Sequence, residues 1–139
     1  MKVLLDTCVI SEIRHPKGNR QVKDAVAALD EDAMYLSAIT IGELCKGIHA
    51  LPKSKRKTEL SAWISAIQQS YAERVLPIDA GVASLWGEVT ARVQADGFQL
   101  GAADDLIAAT AISHGIHFMT RNISGFEPSG ALLINPWSE

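Results

Sequence analysis

The 139-residue sequence lacks most of the features that mark secreted or membrane-spanning proteins. It has only two cysteines, Cys8 and Cys45. They do not make up the framework of several cysteine pairs that disulfide-rich proteins have, and they do not follow the spacing of a zinc site. No apolar run reaches the roughly 18 residues that a membrane-spanning helix needs. These absences favour a reduced, cytoplasmic setting with no membrane association.

A strong positive charge is also missing. Thirteen lysines and arginines against 16 aspartates and glutamates give a net charge of −3. This balance argues against a protein that binds nucleic acid over its whole surface, although a local basic edge or a metal-mediated phosphate contact stays compatible with it. The opening MKVLLDTCVI is interrupted by Asp6 and precedes no small-residue cleavage site. It therefore predicts a buried strand and not a signal peptide.

What the sequence does contain is an alternation of strand and helix patterns. Apolar runs predict buried strands at residues 3–5, 34–39, 74–78, 116–120 and 131–134. Apolar residues at helical spacing predict helices around residues 41–48, 60–71 and 82–93. No repeat or interdomain linker divides the chain. The pattern predicts one α/β domain over residues 1–139 with a mainly parallel sheet.

Helix boundaries carry recognisable signals. Thr40 and Glu43 stand three residues apart, as in a capping box, which predicts a helix start at Thr40. Asp79 is suited to cap the helix that follows it. Gly97 and Gly115 are placed to end two helices, because glycine tolerates the left-handed conformation of a helix C-terminus.

Acidic residues occupy three separate strand-to-helix regions. Asp6 directly follows the first strand, Glu43 lies in the helix after the second, and Asp104 and Asp105 open a later helix. In open α/β sheets the carboxyl ends of the strands meet at one crevice. Two carboxylates about 5 Å apart repel by roughly 3 kcal/mol at an effective dielectric near 20. Convergence therefore predicts either protonated acids or a bound Mg²⁺ or Mn²⁺, since oxygen ligands select hard cations.

Each acid also has a purely structural interpretation. Asp6 is placed to cap a turn or helix, and Glu43 to complete the capping box. Asp104 and Asp105 suit the positive end of their helix dipole. Spacing alone leaves these alternatives open, and it does not choose between the two neighbouring aspartates.

Five stretches give the sequence a family resemblance: LLDTCVISE at 4–12, LSAITIGELCKGI at 36–48, GAADDLIAATA at 101–111, TRNISGF at 120–126 and INPW at 134–137. In their order and approximate spacing, the sequence resembles PIN-domain ribonucleases. It is most similar to the toxin members of toxin–antitoxin pairs, the VapC group and especially its FitB-like branch. The resemblance covers essentially the full chain. It implies a PIN-like three-layer α/β/α sandwich with a mainly parallel central sheet.

The resemblance also implies an activity and its residues. It implies an endoribonuclease that uses Mg²⁺ or Mn²⁺ to hydrolyse phosphodiester bonds. Carried over position by position, the catalytic and metal-binding acids are Asp6, Glu43 and Asp104, and the fourth position of the family falls on Asn122. Asp105 then becomes a helix-terminus charge, or a second acid that partly replaces the missing fourth one.

Three positions depart from the family pattern. Asn122 is neutral where FitB-like members can carry aspartate, and Gly125 stands where other members have one. An amide oxygen can still accept or ligate, so we expect weaker metal binding and one negative charge fewer. Cys8 replaces the usual asparagine, which predicts rearranged support for Asp6. A soft thiol mismatches an oxygen site, so Cys8 is not assigned as a ligand.

Further residues are candidates by proximity in sequence. Three hydroxyls close to the predicted ligands could support them or act as helix caps: Thr7, Ser11 and Thr120. Four basic residues could contact RNA phosphates or simply be solvated: Arg121, Lys53, Lys55 and Arg56.

The resemblance further implies partners. These are an RNA substrate, a cognate antitoxin that covers the acidic pocket, a second copy of the chain in a homodimer, and operator DNA bound only through the antitoxin. Two rival functions remain. One is a catalytically weak PIN scaffold that binds its antitoxin. The other is a phosphoacceptor regulator, which would need an acid pair after the first strand and a late lysine, where this chain has Asp6 alone and Arg121-Asn122.

Overall fold

The computed structural model describes residues 1–138, which form five strands and seven α-helices. The strands are β1 (Val3–Leu5), β2 (Met34–Ser37), β3 (Val75–Leu76), β4 (His117–Met119) and β5 (Leu133–Ile134). The helices are α1 (Thr7–Arg14), α2 (Arg20–Ala27), α3 (Ala38–His49), α4 (Lys55–Ser70), α5 (Ala80–Ala95), α6 (Ala102–His114) and α7 (Ile123–Phe126). All the strand runs predicted from the sequence are present, although four of them are shorter than predicted.

The strands form one sheet in the order β3-β2-β1-β4-β5, and every neighbouring pair is parallel. The chain therefore builds outward from β1 to β3 and then returns to the opposite side of β1. Such a reversal opens a crevice at the carboxyl ends of β1 and β4, where ligands bind in open α/β sheets. Asp6 follows β1 at this crevice, and Thr120 follows β4.

Alternate residues of β1 supply two separate cores. Val3 and Leu5 pack on one side against α1 and α2, with side chains of α3 and α4 around them. Leu4 packs on the other side against Ile107 of α6 and against Phe118 and Phe126. All three strand residues are fully buried. Because side chains alternate across a strand, a buried run of this kind places a helical layer on each face, which confirms the three-layer sandwich.

The helix boundaries confirm some sequence signals and correct one. Asp79 caps α5 by accepting a hydrogen bond from the Val82 N–H at 2.9 Å, and Gly115 ends α6 in the left-handed conformation at φ +63°. The capping box at Thr40 was wrong. Helix α3 begins at Ala38, with the Ser37 hydroxyl accepting from the Ile39 N–H at 3.1 Å. Because Ser37 ends β2 and starts the helix, Thr40 is already inside α3 and fully buried.

No helix within residues 1–138 combines the length and the apolar character that crossing a membrane requires. Cys8 and Cys45 are both free thiols.

Candidate active site

Asp6 lies at the switch point of the sheet and is 7% exposed. Its backbone N–H donates to the Met119 carbonyl at 2.9 Å, which ties the end of β1 to the end of β4. One side-chain oxygen accepts from the Thr7 N–H at 2.8 Å and thereby caps α1. The structural interpretation of Asp6 as a helix cap is therefore correct, but it accounts for only one of the two carboxylate oxygens.

The second oxygen of Asp6 has a partner from a distant part of the chain. The hydroxyl of Thr120, which is fully buried, donates to Asp6 Oδ2 at 2.7 Å. The Thr120 hydroxyl in turn accepts from the Asn122 N–H at 3.2 Å, so its direction is fixed. Burial raises the pKa of Asp6 and the charge of Glu43 adds to this rise, while the hydrogen bonds of Thr120, Thr7 and Cys8 oppose it. Thr120 thus holds and partly stabilises a carboxylate in an unfavourable setting.

Asp104 lines the same cavity as Asp6. The cavity has a volume of about 410 Å³, and its walls are formed by Asp6, Cys8, Asp104, Arg121, Asn122 and Phe126. Asp104 is partly buried in the first turn of α6. Its pKa is raised chiefly by burial and further by the negative charges of Asp6, Glu43 and Asp105. Three predicted acids from three chain segments are therefore close enough to act on one another electrostatically.

Glu43 approaches the site from α3 and is held by a different bond. Its Oε1 accepts from the Thr7 hydroxyl at 2.7 Å, which joins α3 to the first turn of α1. Glu43 lines two neighbouring grooves and is not part of the wall of the cavity that Asp6 and Asp104 share. Because α3 starts at Ala38, Glu43 lies mid-helix and does not serve as a cap, so its structural interpretation fails.

The three predicted carboxylates have the ligand atoms that a hard divalent cation prefers. Asp6, Glu43 and Asp104 offer oxygen donors only, and within residues 1–138 no lysine or arginine lies within 4.0 Å of any of them. In that same part of the chain, no three His, Cys, Asp or Glu side chains are yet grouped as closely as ligands around a metal ion. One oxygen of Asp6 and one of Glu43 accept hydrogen bonds from Thr120 and Thr7, respectively.

Asn122 lines the cavity, but its amide is already used. Its Oδ1 accepts from the Gly125 N–H at 3.1 Å and caps the short helix α7. A Cβ at position 125 would lie 2.7 Å from Asn122 Cγ, closer than packed carbons approach. The two departures from the family pattern are therefore coupled, since the Asn122 side chain fills the space that any side chain at position 125 would need.

Asp105 does not belong to the cavity wall. It lies in the first turn of α6, at the helix terminus as expected, but it is only 5% exposed and faces α5 near Thr90. Burial raises the pKa of Asp105, and the nearby Thr90 hydroxyl opposes that rise. Even so, Asp105 Oδ1 and Thr90 Oγ1 have no hydrogen-bond partner among residues 1–138. Of the two adjacent aspartates, the structure directs Asp104 to the cavity and Asp105 into the α5–α6 interface.

Cys8 and Ser11 are placed differently from each other. Cys8 lies in the cavity wall, with Sγ 3.6 Å from Asp6 Oδ2. Burial and the charge of Asp6 raise the pKa of Cys8 to about 11, so the thiol remains protonated at neutral pH. Ser11 lines the neighbouring groove, together with Thr7 and Glu43, and does not reach the cavity of Asp6 and Asp104.

The candidate basic residues separate into two groups. Arg121 lines the acidic cavity, and its guanidinium lies 5.3 Å from the ring centre of Trp137. Lys53, Lys55 and Arg56 lie together at the start of α4, where Lys55 forms an exposed ion pair with Glu59 at 3.8 Å. Arg56 lines the groove beside Glu43. The contact between Arg121 and Trp137 was not predicted from the sequence, although both residues belong to the TRNISGF and INPW stretches.

Comparison with known proteins gives consistent relatives. A family model described as the PIN domain matches residues 3–126. The chain is 38% identical over 136 residues to VapC ribonuclease Y4jK of Sinorhizobium fredii, covering 97% of each protein. It is 36% identical over 138 residues to Toxin FitB of Neisseria gonorrhoeae, covering 99% of each.

Solved structures give the same result. A chain in the structure of FitAB bound to IR36 DNA fragment is similar to this one with a TM-score of 0.93 and 35% identity, covering 99% of this chain and 96% of that chain. The all-parallel order of the sheet, the acids at its switch point and the family match over most of the sequence agree. The chain belongs to the PIN-domain family.

Proposed function

We propose that the chain is a metal-dependent endoribonuclease that acts as the toxin of a type II toxin–antitoxin pair. The observation that carries the proposal is the acidic cavity at the switch point. Asp6 and Asp104 line this cavity, and the negative charge of Glu43 contributes to raising the pKa of both. The relatives named as a ribonuclease and a toxin, each similar over nearly their whole length, support this function.

Asp6, Glu43 and Asp104 would hold Mg²⁺ or Mn²⁺, because all three are hard oxygen donors and no lysine or arginine of residues 1–138 lies within 4.0 Å of them. When bound, such an ion supplies activation of water and neutralisation of negative charge on a phosphodiester. Burial disfavours the ionised form of Asp6 and Asp104, so both carboxylates gain from a cation beside them.

The neighbouring hydroxyls orient these acids. Thr120 fixes the direction of Asp6 Oδ2, and Thr7 fixes Glu43 Oε1 through bonds of 2.7 Å each. Hydrogen bonds of this kind to ionised groups are short and restrict the rotation of the carboxylate. A carboxylate held in place does not have to be ordered when the substrate binds, which favours the reaction.

The partners follow from the relatives. We propose that a cognate antitoxin binds this chain and that operator DNA is contacted through the antitoxin. The similar chain in the structure of FitAB bound to IR36 DNA fragment supports an assembly that binds DNA. Homodimerisation is part of the same proposal. A cytoplasmic location remains a prediction from the cysteine content.

Cleavage of RNA by the purified chain tests the function. Total RNA would be incubated with the protein in Mg²⁺, in Mn²⁺ and in excess chelator, and the new ends would be mapped. Asp6→Asn should lose cleavage while keeping the helix cap, because asparagine caps as well as aspartate does. Glu88→Gln on the exposed side of α5 is the matched control and should cleave normally. Equal cleavage by wild type and Asp6→Asn would contradict the proposal.

A second candidate is a catalytically weak scaffold that binds its antitoxin. One observation favours it: Asn122 supplies no charge, and its amide oxygen is committed to Gly125. Calorimetry with Mn²⁺ separates the candidates. Binding at or below millimolar concentration supports the enzyme, and absence of binding at millimolar metal supports the scaffold.

A further inference from the structure

The segments that follow β4 and β5 lie side by side next to the acidic cavity. The Thr120 N–H donates to the Ile134 carbonyl at 2.9 Å, and this bond joins the carboxyl ends of β4 and β5 where the two segments leave the sheet. Arg121 comes next on one side, and Asn135, Pro136 and Trp137 on the other. The Trp137 N–H donates to Asn135 Oδ1 at 2.9 Å, so a local turn fixes the backbone of the tryptophan.

Trp137 is held in place by packing and contacts the side chain of Arg121. Its ring is partly buried and packs against the core cluster that contains Val3 and Leu5. The guanidinium of Arg121 lies 5.3 Å from the ring centre, within the distance at which a cation and an aromatic face attract. Arg121 is itself exposed. A partly buried ring therefore anchors an exposed cation.

The guanidinium of Arg121 forms no ion pair within residues 1–138. Among residues 1–138 no carboxylate oxygen lies within 4.0 Å of Arg121, although Asp6 and Asp104 line the same cavity. Contact with the ring face leaves the N–H groups at the edge of the guanidinium able to donate. These donors form a planar fork that matches phosphate oxygens.

We propose that Arg121 binds a phosphate group of the RNA beside the acidic cavity and that Trp137 is its positioning residue. The inference rests on the proposed ribonuclease function. RNA approaching three carboxylates is repelled by them, and a fixed cation in the cavity wall offsets part of this repulsion for the phosphate next to it. Among residues 1–138, no aromatic ring lies against Lys53, Lys55 or Arg56 as Trp137 lies against Arg121.

Binding measurements without cleavage test the role of Arg121. Asp104→Asn serves as the parent protein, and fluorescence anisotropy follows a fluorescein-labelled single-stranded RNA in Mg²⁺. Arg121→Ala should weaken binding by about tenfold or more, as loss of a charged hydrogen bond does. The salt dependence should fall by about one phosphate contact, a change of roughly 0.7 in the logarithmic slope for single strands. Arg20→Ala, which removes an exposed arginine paired with Asp24, is the matched control and should change neither value.

A double-mutant cycle tests the role of Trp137. Trp137→Leu should weaken binding about two- to fivefold when Arg121 is present and should have no further effect when it is absent. Trp137→Phe keeps a ring and should bind nearly as the parent does. Thermal unfolding of each variant identifies any that fail to fold.

Two results would overturn the inference. One is unchanged RNA binding in Arg121→Ala, and the other is an equal loss from Trp137→Leu with and without Arg121. Failure of the ribonuclease function itself is distinguishable, because the wild-type chain would then leave RNA intact in both Mg²⁺ and Mn²⁺. In the wild-type background, Arg121→Ala should raise KM more than it lowers kcat.

Discussion

Replacing Asp104 with asparagine should stabilise the metal-free protein at neutral pH while removing its activity. Asparagine has nearly the same shape as aspartate but carries no charge. The charge of Asp104 is disfavoured by burial and by the negative charges of Asp6, Glu43 and Asp105. The site is thus a place where function opposes stability. Asparagine removes the charge and keeps the volume, so the folded state loses the repulsion without creating a cavity.

The magnitude follows from the setting of the carboxylate. Two unit charges about 5 Å apart repel by about 3 kcal/mol at an effective dielectric of 20. Asp104 is only partly buried, so solvent and salt screen this repulsion, and we expect a net gain of about 1 kcal/mol. For a domain of this size, that corresponds to a rise in Tm of roughly 3 °C.

The effect depends on pH with a definite sign. Burial and the neighbouring acids raise the folded-state pKa of Asp104 above the ordinary value of an aspartate, so the folded protein holds the proton more tightly than the unfolded chain. Its stability contribution is therefore fully present below the unfolded pKa and is lost as pH rises through the folded pKa. The advantage of Asp104→Asn should be absent in acid, appear across this window and be complete at neutral pH.

Differential scanning calorimetry in chelator and low salt, from acidic to neutral pH, measures this difference. Glu88→Gln on the exposed face of α5 is the control for loss of one negative charge and should show no such pH-dependent gain. Added Mg²⁺ or Mn²⁺ should raise the Tm of the wild type more than that of Asp104→Asn. Asp104→Asn that is only as stable as the wild type, or less stable, at neutral pH in chelator would contradict this prediction.

Three further substitutions probe the surroundings of the acids. Thr120→Val removes the buried hydrogen bond to Asp6 and should lower the free energy of unfolding by about 1–2 kcal/mol and reduce cleavage; unchanged cleavage in a folded variant would show that this bond does not orient Asp6 for the reaction. Asn122→Asp keeps an oxygen for the Gly125 N–H and adds a carboxylate to the cavity, so calorimetry should find tighter Mn²⁺ binding; equal or weaker binding would argue against a fourth position there. Gly125→Ala places a Cβ against Asn122 and should cost about 1 kcal/mol in urea unfolding by displacing the cap, and a neutral effect would show that the Asn122 side chain moves freely.

Much of the site was predictable from the sequence because a parallel sheet gathers the ends of its strands. Once alternating strands and helices were recognised, Asp6 after β1 and Asp104 at the start of α6 were expected near the same crevice. The residue types then indicated the chemistry. The choice between Asp104 and Asp105 as the ligand came from the family pattern and stays a prediction. In the structure Asp104, and not Asp105, lines the cavity wall.

Other features depended on packing that the sequence does not reveal. Ser37 and Thr40 are both competent helix caps, and only the length of β2 decides that Ser37 serves. Whether Asn122 faces a ligand or its own helix is decided by the absence of a Cβ at Gly125. The meeting of Arg121 and Trp137 requires the pairing of β4 with β5, which brings together residues 16 positions apart.

The most direct test of the account compares metal-dependent cleavage of RNA by the wild type, Asp104→Asn and Asp105→Asn. The two variants differ by one position and remove the same charge, so each controls for the other. In Mg²⁺ or Mn²⁺ we predict that the wild type cleaves, that Asp104→Asn does not, and that Asp105→Asn cleaves nearly as the wild type does. Cleavage by Asp104→Asn at the wild-type rate, or an equal loss in Asp105→Asn, would contradict the assignment of the acidic cavity as the active site.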